Sequence, residues 1–214
     1  MKRILSFIGL CLYGLTSFGQ NDFTLSVLAN TTFVNISSEY ELENTYKPRL
    51  GFSVGAGYPV KFKKIEMLAE ISLLHTSIKD DHFIWVIDES GSPNGFYDKR
   101  IESNYFIGLS SILRVEKGNF KFGAGLNFQV LLTSHSYFKN FESYQSQYSL
   151  NLDEKNKYLK SVQLFIPLEV SITTGRFEIL ARYEHGVLTR LKQNQGIGEF
   201  YNILNIGLRY HINK

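Results

Sequence analysis

The sequence predicts an all-β fold, an eight-stranded antiparallel up-and-down transmembrane β-barrel. Three observations predict it: eight stretches in which apolar residues alternate with polar or small ones, connections that alternate between short and long, and an N-terminal export signal. Successive side chains of a strand point to opposite faces, so each stretch has one apolar face and one polar face. The stretch Phe120–Leu132 shows this alternation most clearly.

The export signal occupies the first 19 residues. Lys2 and Arg3 precede an apolar stretch at residues 4–15, and small residues stand before the expected cleavage site. We expect cleavage after Gly19, which leaves a signal peptide at 1–19 and an outer-membrane β-barrel domain at 20–214.

A lipoprotein signal ending at Cys11 is the alternative interpretation of this segment. Leu10, directly before that cysteine, is bulky for a lipidation site, and the apolar stretch would be very short. After cleavage at Gly19 the mature chain has no cysteine. It therefore has no disulfide and no thiol nucleophile, which suits an oxidising envelope compartment.

The charge balance argues against nucleic acid as a partner. Removal of Lys2 and Arg3 from the 23 basic residues leaves 21, against 20 acidic residues. No later segment approaches the roughly 18 consecutive apolar residues of a spanning helix. Because hydrocarbon cannot satisfy an open sheet edge, strands can cross a membrane only as a closed barrel.

The predicted strands are about as long as the 9–11 residues that a tilted strand needs to cross a bilayer, or slightly longer. They are Phe23–Phe33, Arg49–Tyr58, Ile65–His75, Ile101–Arg114, Phe120–Leu132, Ser161–Ile172, Phe177–His185 and Phe200–Ile212.

Short and long connections are typical of opposite ends of an outer-membrane barrel, with both termini at the periplasmic end. The short ones are Pro59–Lys64, Val115–Asn119 and Thr173–Arg176, where Gly118 and Gly175 are the expected tight-turn residues. The long ones are Val34–Pro48, Ser77–Arg100, Thr133–Lys160 and Gly186–Glu199.

Alternation alone does not say which face points outward, because a secreted lipocalin-like barrel alternates in the same way. The lysines favour a membrane barrel, since only Lys121 lies well inside a polar strand face. That face is instead rich in glycine and small hydroxyls, which suit the narrow interior of eight strands.

Aromatic residues are expected in two girdles on the outward face. The span from Phe23 to Phe33 corresponds to roughly 25 Å of height for a tilted strand, which matches the apolar band of such barrels. The periplasmic set is Phe23, Tyr58, Phe120, Phe177 and Tyr210, and the other set is Phe33, Tyr105, Phe128, Tyr183 and Phe200.

An ion network is expected inside the barrel, because buried charges are costly unless they are paired. Its members are Arg49, Glu66, Glu70, Arg114, Glu169, Glu178, Arg182, Glu184 and Arg209. The network predicts either a polar plug or a gated path for small solutes. Glu66 and Glu70 lie roughly 13 Å apart along one strand, too far for a shared proton task.

The residues most like a catalytic group lie where the third predicted strand leaves the membrane: His75, Ser77, Asp80, Asp81 and His82. Imidazole, carboxylate and hydroxyl groups can together activate water or a serine in a rim-sited lipid or peptide hydrolase. Their spacing is not specific, so we expect a non-enzymatic protein with no catalytic residues, cofactor or metal.

The connection Thr133–Lys160 is the expected site of contact with other envelope proteins. Tyrosine is favoured at recognition surfaces because it offers a large area with a polar tip. The candidate contact residues of this loop are Tyr137, Phe138, Phe141, Tyr144, Tyr148 and Tyr158.

Several stretches resemble the PorT-like outer-membrane β-barrel family of Gram-negative bacteria: RLGFSVGAGYPV, EMLAEISLL, LFIPLEVSI, FEILARYEHGV and NILNIGLRYHI. The resemblance covers the mature chain and rests on the rhythm of the hairpins. It implies an eight-stranded barrel in the outer membrane, in contact with its lipid, and for the namesake branch a role in secretion and surface motility. It carries no catalytic residues. Such barrels commonly end on an aromatic residue, whereas this chain ends on Asn213 and Lys214.

Overall fold

The computed structural model describes most of the chain. The described residues are 23–38, 46–63, 65–80, 84–87, 93–97, 99–143, 149–155, 159–191 and 197–212. The predicted signal peptide and its cleavage site lie outside these residues, so both stay predictions.

The described part of the chain contains twelve strands. Their bounds are β1 Thr24–Ser38, β2 Tyr46–Pro48, β3 Leu50–Phe62, β4 Ile65–Asp80, β5 Ile84–Ile87, β6 Pro93–Tyr97, β7 Lys99–Lys117, β8 Phe120–Ser143, β9 Ser149–Lys155, β10 Val162–Thr174, β11 Phe177–Gly186 and β12 Ile197–His211.

Eight of these strands form a closed antiparallel ring. Each of β1, β3, β4, β7, β8, β10, β11 and β12 pairs with the next one in this order. The last strand then pairs with the first, from Thr24 opposite His211 to Ser38 opposite Ile197. The ring confirms the predicted eight-stranded up-and-down barrel, which leaves none of its strands with an open edge.

The two ends of the barrel differ in their connections. At one end, here called the turn end, Gly118 and Gly175 adopt left-handed φ angles of 63° and 60° in tight turns, as predicted. In the third turn the residue with a left-handed φ angle is Lys63. Strand β3 continues to Phe62, beyond the predicted strand end at Tyr58, so this turn is shorter than the predicted connection Pro59–Lys64. The opposite end is called the loop end.

Strands extend beyond the predicted membrane segments at the loop end. Strand β8 continues to Ser143 and pairs with β9, so much of the predicted loop Thr133–Lys160 is a β-hairpin. Strand β4 continues to Asp80, and β5 and β6 lie within the predicted loop Ser77–Arg100. The extensions follow from neighbouring strands that keep their backbone hydrogen bonds past the apolar band.

Apolar side chains point outward and charged ones inward. Leu109 and Ile206 are 60% and 56% exposed, whereas Arg114 and Arg209 are fully buried in the lumen. This confirms the predicted orientation and excludes the lipocalin-like alternative, whose apolar face would line the interior. No helix among the described residues is long and apolar enough to cross a membrane.

The aromatic residues of both predicted girdles lie on the outer face. Phe120 and Phe177 are exposed near the turn end, and Phe33, Tyr105 and Tyr183 are exposed toward the loop end. Between the girdles the wall presents leucine, isoleucine and valine. Such a band between aromatic girdles is the outer surface of a transmembrane barrel.

Two interior glycines allow close approach of neighbouring strands. A Cβ atom on Gly125 would overlap the backbone of Ser111 and Ile112, and one on Gly207 would overlap the carbonyl oxygen of Val27. Small residues at these positions therefore bring the wall close enough for its inward side chains to fill the lumen.

Candidate functional site

The interior of the barrel holds the candidate functional site, and its lower part is a cluster of paired charges near the turn end. All the members of this turn-end cluster are at least nine-tenths buried. They are Glu66, Glu70, Arg114, Lys121, Glu169, Glu178, Arg182, Glu184, Arg209 and His211.

Arg114 lies at the centre of the cluster. Its Nη1 donates to Glu178 Oε1 at 2.8 Å and to Glu169 Oε1 at 3.2 Å, and its Nη2 donates to Glu66. One guanidinium on β7 thus ties together carboxylates from β4, β10 and β11. The planar, multiply donating guanidinium is suited to this bridging.

Arg209 shares two of those carboxylates. Its Nη1 lies 2.6 Å from Glu178 Oε1, and its Nη2 lies 3.1 Å from Glu169 Oε2. Arg182 extends the network, since its Nε donates to Glu169 Oε2 at 2.9 Å and its Nη1 donates to Glu70 Oε1 at 2.8 Å. The three arginines therefore link strands on opposite sides of the lumen.

Lys121 and His211 close the cluster at the turn end. Lys121 Nζ lies 3.1 Å from Glu66 Oε2, and His211 Nε2 lies 3.0 Å from Glu178 Oε2. Removal of one partner would leave a buried charge uncompensated, which costs far more than loss of an exposed pair. The cluster therefore fixes the barrel interior and fills its cross-section.

The structure brings together eight of the nine residues of the predicted ion network. Arg49 is the exception: it is exposed and lies between β2 and β3, outside both strands. The inward alternation of β3 does not reach it, because β3 begins at Leu50. The prediction for Arg49 was therefore wrong.

Two members of the cluster were missed by the predicted network. Lys121 lies two positions before Gly123 and six before Asn127, so it shares their inward face of β8. His211 lies two positions after Arg209 and shares its inward face of β12. Their alternation was the available signal. Lysine and histidine are more often solvated than buried, so residue type alone did not distinguish them.

Between the turn-end cluster and the loop end, the lumen contains first a layer of amide side chains and then a layer of apolar side chains. Asn127 Nδ2 and Gln129 Nε2 both donate to Glu184 Oε2, at 3.0 and 2.9 Å. Beyond them is a buried apolar layer across the lumen, formed by Val34, Leu74, Ile78, Phe106, Phe165, Tyr201 and Ile203. This apolar layer packs between the turn-end cluster and the polar groups nearer the loop end.

A second ionic group, the mouth cluster, lies at the loop end and consists of Tyr46, Glu102, Arg190, Glu199 and Tyr201. Arg190 Nη1 donates to Glu102 Oε1 at 2.9 Å, and its Nε donates to Glu199 Oε2 at 2.6 Å. The same guanidinium stacks on the Tyr46 ring, 5.0 Å from the ring centroid. Tyr201 donates its hydroxyl proton to Glu102 at 2.6 Å.

Arg190 reaches the mouth from the segment that follows β11, outside the named strands. Residues 187–191 follow β11, and their backbone is held by Val187 N to Leu164 O and Arg190 N to Glu199 O, at 2.8 and 2.7 Å. Arg190 itself is 1% exposed. The segment is therefore a strap that inserts one side chain into the mouth.

The electrostatics of the mouth stabilise the charged forms of its central pair. The predicted strand Ile101–Arg114 includes Glu102, but in the structure Glu102 lies three residues beyond the girdle residue Tyr105 toward the loop end, outside the apolar band. Burial raises the pKa of Glu102, but the guanidiniums of Arg190 and Arg100 and the Tyr201 hydroxyl outweigh it, so the pKa falls to about 2. Burial raises the pKa of Tyr46, which stays a neutral phenol.

The candidate catalytic group is not assembled among the described residues. The His75 ring packs on the outer face between Phe52 and Tyr105, with centroid distances of 5.3 and 4.7 Å. Asp80 is buried and lies 3.8 Å from Arg100. Ser77 is also buried, and Asp81 and His82 lie outside the described residues. Within the described ranges, no three His, Cys, Asp or Glu side chains are grouped to hold a metal ion.

The candidate contact residues of the connection Thr133–Lys160 are only partly described. Tyr137 is exposed on β8, and Phe138 and Phe141 belong to the same strand opposite Leu152 and Leu150 of β9. The remaining three, Tyr144, Tyr148 and Tyr158, lie outside the described residues. Contact with a partner protein at this hairpin stays a prediction.

Among known proteins, the chain is similar to β-barrels of solved structure. No family model matches the chain, and no curated protein matches it. Neisserial surface protein A is 14% identical over 88% of this chain and 96% of its own, with a TM-score of 0.45. The N-terminal β-barrel domain of Pseudomonas aeruginosa OprF is 11% identical over 89% of this chain and all of its own, with a TM-score of 0.40.

A third similar structure, the Ralstonia pickettii toluene transporter TbuX, is 10% identical over 91% of this chain and 90% of its own, with a TM-score of 0.27. These likenesses are low, and the strand pairing of the chain itself defines its architecture. The protein is a closed, all-β, eight-stranded antiparallel barrel with an apolar outer wall and an ionic interior.

Proposed function

We propose that the chain is an outer-membrane β-barrel of the PorT-like type and acts as a non-enzymatic, non-conducting envelope component. In this role it anchors the loop-end strands at the cell surface, as a scaffold or as a secretion-associated subunit. The observation that carries the proposal is the filled lumen. A turn-end cluster, an apolar layer and a mouth cluster follow one another along the barrel axis.

The location is supported by the chemistry of the wall and of the N-terminal segment. Strands with lipid-facing residues and no open edge are the form in which β-structure crosses a bilayer. The predicted signal peptide at 1–19 would deliver the chain to the envelope. Sequencing the N-terminus of the exported protein tests this step: a start at Gln20 supports it, and a lipid on Cys11 contradicts it.

The surface-presenting role is supported by the extra strands at the loop end. The β8–β9 hairpin and the β5–β6 hairpin are joined to the same sheet by β6–β8 pairing, so they form a continuous extension of the wall. Backbone pairing holds this extension in place, and Tyr137, which is exposed where the extension begins, is of a residue type favoured at recognition surfaces.

Pull-down from native envelopes tests the presenting role. The full chain is compared with a deletion of residues 138–158, and the closed barrel of both is checked by resistance to unfolding in cold detergent. A stoichiometric companion that is lost on deletion supports the proposal. Unchanged complexes after the deletion contradict a partner role for this hairpin.

A narrow gated pore is the second candidate, and one observation favours it. Arg190, whose buried side chain lies in the mouth, belongs to a connecting segment and not to one of the eight strands of the ring. Conductance in planar bilayers separates the two candidates. Silence of the wild type and of Arg190→Ala and Arg182→Ala supports the non-conducting component, whereas stepwise currents in wild type support the pore.

A further inference from the structure

The connections at the two ends of the barrel differ in charge. The three short ones at the turn end, Pro59–Lys64, Val115–Asn119 and Thr173–Arg176, contain five basic residues and one acidic residue. The four long ones at the loop end contain ten basic and twelve acidic residues. The turn end therefore attracts anionic groups, whereas the connections at the loop end carry a small excess of negative charge.

Each tight turn has an exposed cation within one residue of its left-handed position. Lys63 itself has a φ angle of 56°, Lys117 directly precedes Gly118, and Arg176 directly follows Gly175. A tight turn is the outermost point of its hairpin, so these cations are spread around the turn end. We call Lys63, Lys117 and Arg176 the basic rim.

The cations of the basic rim lie beside exposed aromatic residues of the wall. The neighbours are Phe62 for Lys63, Phe120 for Lys117, which is its partner in the β7–β8 pairing, and Phe177 for Arg176. Arg176 Nη1 also donates to the Tyr210 hydroxyl at 3.4 Å. Because Phe120, Phe177 and Tyr210 belong to the turn-end girdle, the cations beside them lie at the level where acyl chains meet headgroups.

The acidic residue of the three short connections is Glu116, and it has the opposite orientation to the neighbouring cation. Glu116 lies two positions after the buried Arg114 and opposite Lys121, so it has the inward alternation of β7. Lys117 has the outward alternation of the same strand. The carboxylate is therefore on the side of the lumen, and the cation is on the side of the surrounding lipid.

We propose that the basic rim binds anionic phospholipid headgroups of the leaflet around the turn end, which is the periplasmic leaflet in the orientation that the sequence predicts. Charge complementarity selects a headgroup with a net negative charge over a zwitterionic one. The exposed rings beside the cations favour a lipid over an acidic protein, because they contact the upper part of its acyl chains. The inference rests on the proposed membrane location.

Quenching of tryptophan fluorescence by brominated lipids tests which lipid lies beside the rim. In a Trp85→Phe background, Phe120→Trp places a reporter opposite Lys117, and Tyr105→Trp places a matched reporter in the loop-end girdle. The barrels are folded into phosphatidylcholine vesicles that contain brominated phosphatidylglycerol or brominated phosphatidylcholine with the same acyl chains. Quenching at position 120 should show a roughly fivefold preference for phosphatidylglycerol, the effect of one cation at an anionic lipid surface. Position 105 should show little preference.

Two lysine variants identify the source of the preference. Lys117→Gln should abolish it at position 120, whereas Lys47→Gln, a change at an exposed lysine of the loop end, should leave it unchanged. Added salt should reduce the preference, because salt screens exposed charges. All variants are compared in their folded, heat-modifiable form. A preference at position 120 that survives in Lys117→Gln overturns the proposal.

The same measurement distinguishes failure of the basic rim from failure of the membrane location. Equal quenching by the two lipids at position 120 overturns the lipid preference and leaves the membrane location in place. Absence of quenching at both reporter positions contradicts the membrane location, and the proposal for the basic rim then fails with it.

Discussion

Arg190 and Glu102 are 88 residues apart in sequence and form a buried ion pair across the mouth of the barrel, with Nη1 2.9 Å from Oε1. One partner lies on strand β7 of the wall and the other on the strap at residues 187–191. The pair therefore connects the segment that follows β11 to a strand on the other side of the barrel.

The mouth pair should weaken in acid. The pKa of Glu102 is lowered from 4.5 to about 2 in the folded protein. The ionised carboxylate therefore contributes its full stabilisation of the fold above roughly pH 4.5, and this contribution is lost as the pH falls through 2. This shift corresponds to about 3 kcal/mol. Urea unfolding in lipid vesicles between pH 6 and 2 measures it. The free energy of unfolding of the wild type should exceed that of Glu102→Gln at pH 6, and the two values should converge toward pH 2. A difference that stays constant over this range would contradict the lowered pKa of Glu102.

Arg114→Ala should strongly destabilise the barrel. The change leaves Glu66, Glu169 and Glu178 buried near one another without their shared cation. We expect a loss of about 3–5 kcal/mol in the free energy of unfolding. Arg49→Ala is the matched control, because that arginine is exposed, and it should change stability by less than about 0.5 kcal/mol. Similar losses in both variants would argue against the turn-end cluster.

Two carboxylates in the lumen should differ in importance. Glu178 bonds Arg114, Arg209 and His211, so Glu178→Gln should cost about 3 kcal/mol. Glu184 accepts hydrogen bonds from the amides of Asn127 and Gln129, so Glu184→Gln should lower the free energy of unfolding by only about 1 kcal/mol. Unfolding midpoints of the two variants in urea provide the comparison, and the reverse order would contradict the assigned pairing.

The close approach of strands at Gly125 should not tolerate a methyl group. A Cβ there overlaps the backbone of Ser111 and Ile112, so Gly125→Ala should lower stability by about 1–3 kcal/mol. Gly118 has open space around it and a left-handed φ that asparagine also adopts. Gly118→Asn should therefore fold to the same heat-modifiable form with wild-type yield, while Gly125→Ala folds in lower yield.

The wall of the barrel was predictable from sequence because its signal is local. Alternation along each strand, as in Phe120–Leu132, records which face meets lipid, and the glycines at positions 118 and 175 mark the turns. The turn-end cluster followed from the same inward alternation. Arg49 was wrongly included because alternation does not show where a strand begins.

The mouth cluster was not predictable in this way. Arg190 follows the end of β11, and its place inside the mouth depends on how residues 187–191 fold back over distant strands. The alternation of residues along a strand carries no information on how a connecting segment folds back over distant strands. The inward position of Glu102, two residues before Asn104 on β7, was the one available sign that a buried cation should lie nearby.

The side of the wall that contacts lipid is the central claim, and site-directed spin labelling in lipid vesicles tests it most directly. In residues 20–214, which contain no native cysteine, a nitroxide at Leu109→Cys should collide mainly with oxygen dissolved in the bilayer and rarely with a water-soluble nickel complex, because Leu109 is 60% exposed on the outer wall. A label at position 109 that meets the nickel complex as readily as oxygen would contradict the membrane-spanning barrel.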